Sequence, residues 1–166
     1  GNYATVNSVV SVMRREYLLK RVGLDLDRDV LGLGTDGRQI SLQLNELRGD
    51  NDREIEMLVR DYAVADGVPD DERIRQILTS LDALSDDTLL NPGVVARQLG
   101  LPATEEALTQ WIVPRGYRVL SRIPRVQMFL MDKIIGHFGD VQALTRASEE
   151  DIAAIENVGP LWARHI

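Results

Sequence analysis

A chain of 166 residues is long enough to bury a core unaided, as one ordinary domain or two small units. With 44% apolar and 27% charged residues it reads as a soluble globular protein rather than a disordered or fibrous one. The absence of cysteine excludes disulfides and thiolate chemistry, two histidines leave no basis for a histidine-rich metal site, and a net charge of −7 argues at first against a nucleic-acid partner.

The first predicted element is an amphipathic helix over residues 5–22, in which Val6, Val9, Val10, Met13, Tyr17 and Leu18 recur at three- and four-residue spacings and Gly23 marks the end. Residues 29–47 admit two readings. Ile40, Leu42 and Leu44 alternate as in a strand, while Ile40, Leu44 and Leu47 share a helical face; helix is favoured, with Thr35-Asp36-Gly37 as a helix boundary rather than a hairpin turn. A helix over 52–64 places Ile55, Leu58, Val59 and Tyr62 on one face and stops before Gly67 and Pro69. The next opens on Asp70, Asp71 and Glu72 and turns Ile74, Ile77, Leu78 and Leu81 inward. A short helix starts at Asn91-Pro92 and ends at Gly100.

A boundary is expected within 100–114, which hold Pro102, a helix start at Thr104-Glu105-Glu106, and Pro114. Short helices follow over 116–121, 126–138, 141–146, 148–155 and from Pro160, with Ser148 and Asp151 as a capping box. The expected architecture is all-α: a helical linker over 1–111 and a hairpin-built domain over 112–166.

The charge is unevenly placed. Residues 1–111 carry 12 Lys/Arg against 20 Asp/Glu, whereas 112–139 carry Arg115, Arg118, Arg122, Arg125 and Lys133 against Asp132 alone. A basic island therefore sits within an acidic chain. No apolar run approaches the roughly 18 residues of a membrane span, and no signal peptide is evident, so a cytoplasmic protein without membrane association is expected. The start at Gly1 without Met, and the end at Ile166 within a helical pattern, read as those of a fragment.

The segment Ile155-Glu156-Asn157-Val158-Gly159-Pro160-Leu161-Trp162-Ala163 resembles the helix-hairpin-helix signature I-P-G-V-G-P-x-x-A, with Asn157 at the first glycine position and Leu161 where a lysine is common. The first position needs a positive φ, which Asn tolerates, and the second allows close approach of backbone to a phosphate. Pro160 gives up an N–H that has no partner at a first helical position, and the remaining free N–H groups face the anion. An earlier copy, Ile123-Pro124-Arg125-Val126-Gln127, replaces both glycines and adds a cation. Arg122, Arg125 and Arg164 are the expected phosphate-binding cations; Asn157 and Gly159 form the turn that presents N–H groups.

Other motifs have plainer readings. Gly32-Leu33-Gly34-Thr35-Asp36-Gly37 matches G-x-G-x-x-G, yet no βαβ unit surrounds it, so a turn between helices is expected rather than a dinucleotide site. The acidic pairs at 70/71, 86/87, 105/106 and 149/150 fall at helix starts, where capping and the macrodipole account for them without catalysis or metal. His137 precedes Gly139 at a helix end, and Trp111 and Trp162 are expected to pack.

The run Leu33-Gly34-Thr35-Asp36-Gly37-Arg38-Gln39, with Leu42-Gln43-Leu44, Val59-Arg60-Asp61-Tyr62, Pro114-Arg115-Gly116-Tyr117-Arg118 and Ile123-Pro124-Arg125 in order, resembles the DisA family of actinobacterial DNA integrity scanning proteins. The resemblance covers essentially the whole chain. It implies a helical spine followed by a helix-hairpin-helix domain that binds branched or damaged DNA, and a homo-oligomeric parent protein. It also implies a diadenylate cyclase domain making cyclic di-AMP from ATP with a divalent metal; that domain's D-G-A and R-H-R motifs are absent here. No catalytic residue, metal ligand or cofactor is therefore assigned to this chain. The alternative is an assembly or protein-interaction scaffold without direct DNA binding; a repair glycosylase or nuclease would need a nucleophile in a following segment.

Overall fold

In a computed structural model, residues 4–30, 33–65 and 67–155 are described. The fold is all-α apart from two short strands. Helix α1 (Val6–Val30) begins where Thr5 and Ser8 bond each other's backbone N–H reciprocally, and it buries Val6, Val9, Val10, Met13 and Tyr17, the expected stripe. It continues through Gly23 instead of ending there. A mid-helix glycine costs only about 1 kcal/mol, and the following turn is held by packing against α2 (Gly34–Tyr62) and by the Asp27–Arg48 ion pair.

Helix α2 settles the ambiguity over residues 29–47, because the helical reading holds from Gly34 onward and Ile40 and Leu42 stand exposed on its surface. The glycines at the connection are structural. Gly34 has φ +66°, and a Cβ on Gly37 would lie 2.7 Å from the Val30 carbonyl oxygen, so the turn closes only without a side chain there. The expected helix over 52–64 is the last part of α2.

Helices α3 (Asp71–Asp82), α4 (Asp86–Leu89), α5 (Pro92–Gln98) and α6 (Glu105–Leu108) are capped by Asp70, Ser85, Asn91 and Thr104, and the acidic pairs stand at the starts of α3, α4 and α6 as expected. Strand β1 (Ala4–Thr5) pairs antiparallel with β2 (Trp111–Ile112), Ala4 opposite Ile112 and Thr5 opposite Trp111. No alternating pattern announces strands this short. Helices α7 (Tyr117–Leu120), α8 (Met128–Phe138), α9 (Val141–Arg146) and α10 (Glu149–Ala153) follow among the described residues. Ser148 and Asp151 form the expected capping box on α10, and His137 lies exposed in the last turn of α8 before Gly139.

The buried side chains form two clusters. The first joins α1, the end of α2, and α3 to α5; the second contains Tyr117, Leu120, Val126, Leu130, Ile134, Ile135, Leu144 and Ile152. Helix α2 serves both: Ile55, Leu58, Val59 and Tyr62 enter the first, and Met57 enters the second.

Candidate nucleic-acid interface

The α2 face that carries Met57 also carries Arg53, Glu54 and Asp61, spaced three to four residues apart as one helical face requires. Asp61 is only 2% exposed, and its carboxylate accepts hydrogen bonds from the backbone N–H groups of Gly116 (3.0 Å), Tyr117 (2.6 Å) and Arg118 (3.3 Å). It thus supplies the N-terminal acceptors of α7 from 55 residues away in sequence. Burial pushes this carboxyl above the usual carboxylate range, against the three N–H donors and Arg118, which hold it down. The phenol of Tyr117 donates to Asp132 at 2.6 Å and is raised by its burial and by that carboxylate.

Two arginines of the basic island are committed to this junction. Arg115 donates to the carbonyls of Arg60 (3.0 Å) and Ala65 (3.5 Å), and burial lowers its pKa. Arg118 donates through Nε to Glu54 at 2.7 Å. Buried Arg60 lies over the Tyr117 ring at 5.9 Å and reaches Asp71 at 2.9 Å. Arg115 and Arg118 thus fasten the segment around α7 to α2.

Arg122 and Arg125 differ. Both are exposed on the turn between α7 and α8, and neither makes an ion pair among the described residues. Arg125 holds φ 63°, the one positive φ of a non-glycine residue among those described. That is the conformation expected at the first glycine position of the hairpin signature. Val126 beside it is buried and anchors the turn. Gln127 caps α8 without a side-chain bond to its first turn, and α8 therefore presents uncapped N–H groups next to Arg125. Exposed Arg53 donates through Nη2 to the Ser121 carbonyl at 3.0 Å, at the start of the same turn.

The structure thus brings Arg122 and Arg125 together. Asn157, Gly159 and Arg164, with Trp162, lie outside the described residues. Asp61 and Arg53 were not anticipated. A trace of Asp61 is present in the sequence, as a carboxylate one helical turn after the apolar Met57. Arg53 has no such signal, since its partner is 68 residues away.

The family profile described as the DisA bacterial checkpoint controller linker region matches residues 1–108. The chain belongs to the DisA family. Relatives named DNA integrity scanning protein DisA are 57% identical over 165 residues in Corynebacterium efficiens, 58% over 165 in Corynebacterium glutamicum (strain ATCC 13032) and 38% over 162 in Streptomyces griseus. These alignments cover 99%, 99% and 98% of the chain but 46%, 45% and 43% of the relatives, so the chain spans less than half their length. The α7–α8 turn lies past the DisA linker match yet within the aligned span of all three DisA relatives. Among the described residues, no helix is long and apolar enough to cross a membrane.

Proposed function

We propose that residues 112–166 are a tandem helix-hairpin-helix domain that binds branched or damaged DNA through its phosphates without reading sequence, and that residues 1–111 are the helical spine carrying it. The observation that carries this reading is the α7–α8 turn, where Arg125 adopts the positive φ of a signature glycine beside exposed Arg122 and the uncapped start of α8. Asn157 and Gly159 form the corresponding turn of the second hairpin with Arg164 beside it, an assignment from sequence. The curated relatives are named for DNA integrity scanning, and the sensing part of such a cytoplasmic protein is the role proposed for this chain. For the parent protein we propose, by family resemblance, that cyclic di-AMP is made from ATP with a divalent metal by residues other than these. Titration of the folded chain with a four-way junction tests the reading: affinity falls steeply with salt and varies little with sequence.

A second reading, assembly of copies through the spine, is favoured by a different observation. Between α1 and α2 lies a groove of about 500 Å³ lined by Leu19, Val22, Leu26, Leu44 and Leu47, and Leu47 is 65% exposed. Light scattering tests it: a dimer or larger species supports a homo-oligomeric spine, and a strict monomer contradicts self-sufficient assembly.

A further inference from the structure

We infer that the phosphate-binding surface crosses from the hairpin region onto α2, with Arg53 as a third cation beside Arg122 and Arg125. This rests on the proposed phosphate-binding role of the α7–α8 turn. Of the carboxylates within three residues of Arg53, Asp52 pairs with Lys20 at 3.5 Å, Glu54 with Arg118, and Glu56 with Arg60 at 3.4 Å, while Asp50 makes no ion pair among the described residues, with Arg53 or any other cation. Arg53 itself makes no ion pair among the described residues and is exposed. Its bond to the Ser121 carbonyl uses one of five guanidinium N–H donors and holds the group at the edge of the turn, leaving the remaining donors for a phosphate oxygen. Glu54 and Asp61, on the same face of α2, fix that helix against α7 through Arg118 and three backbone N–H groups. The backbone positions that carry the three cations are therefore held relative to one another, and a ligand that contacts all three bridges α2 and the α7–α8 turn.

The bond to Ser121 also closes the C-terminal end of α7, so the experiment must separate a charge contact from a structural one. Junction binding by the whole chain is measured from about 50 to 200 mM salt for wild type, R53Q, R53K, the R122Q/R125Q double variant and R28Q. Arg28 is an exposed arginine in the last turn of α1, away from the α7–α8 turn in sequence. Loss of one phosphate contact reduces the salt slope by about 0.9, so the deficit of R53Q shrinks about 3.5-fold across that range. R53K restores the slope and R28Q does not change it. A purely structural role lowers affinity equally at every salt concentration and lowers the melting temperature. If wild type binds and R122Q/R125Q flattens the slope while R53Q keeps it, the inference is overturned and the hairpin reading stands. If wild type binds no DNA while folded, both fall.

Discussion

Asp61 satisfies three backbone N–H groups at the start of a four-residue helix too short to be stable alone. Asp61→Ala leaves those donors without an acceptor where water has little access, and the expected loss is about 3 kcal/mol, read from urea denaturation. The carboxyl also gives a pH signature. Because its pKa is raised in the folded chain, the folded state holds the extra proton; the contribution is complete below the unfolded value near pH 4 and is lost as pH rises through the folded value. The stability advantage of wild type over D61N should therefore shrink as pH rises, and an advantage that grows would contradict the assignment. At Arg125 the strain and the charge are separable. R125G relieves a backbone conformation that costs a non-glycine residue about 1–2 kcal/mol, although glycine's greater chain entropy offsets part of that gain. It should leave the melting temperature unchanged or raised while flattening the salt dependence of DNA binding; a lowered melting temperature would mean that the Arg125 side chain supports the turn.

At the level of elements, the helices with strong periodicity and side-chain caps were legible. Asp70, Asn91, Thr104 and Ser148 sit where helix starts were expected, because capping is decided within three residues. Two features were not legible, and both depend on distant partners. Helix α1 passes through Gly23 because α2 packs alongside it, and β1 meets β2 from the opposite end of the first unit. Gly23 and Gly37 should respond oppositely to alanine. At Gly23 a Cβ would meet only Arg48 Cγ at 3.6 Å, an ordinary contact, so G23A should stabilise by up to about 1 kcal/mol. At Gly37 it would collide with the Val30 carbonyl, so G37A should destabilise by about 1–3 kcal/mol through displacement of backbone. Thermal melts of both variants check the contrast, and equal shifts of the same sign would mean that the connection is not packed as described.

Across the whole molecule, α2 is the common member of two clusters, with Ile55, Leu58 and Tyr62 turned into one and Met57 into the other. That sharing explains why the basic island was legible as a sequence feature but not as a site. Of its arginines, Arg115 and Arg118 are taken up by the α2 junction, and only contacts more than 50 residues apart distinguish them from Arg122 and Arg125. The acidic surplus of residues 1–111 lies on the proposed spine, where the apolar groove between α1 and α2 is the place proposed for assembly. The most direct test of the central claim is the salt dependence of four-way-junction binding by the folded chain. The account predicts a log–log plot of affinity against salt that is linear and steep and superimposes for junctions of unrelated sequence, flattened in R122Q/R125Q. Binding that is absent, or independent of salt, while the chain is folded would contradict it.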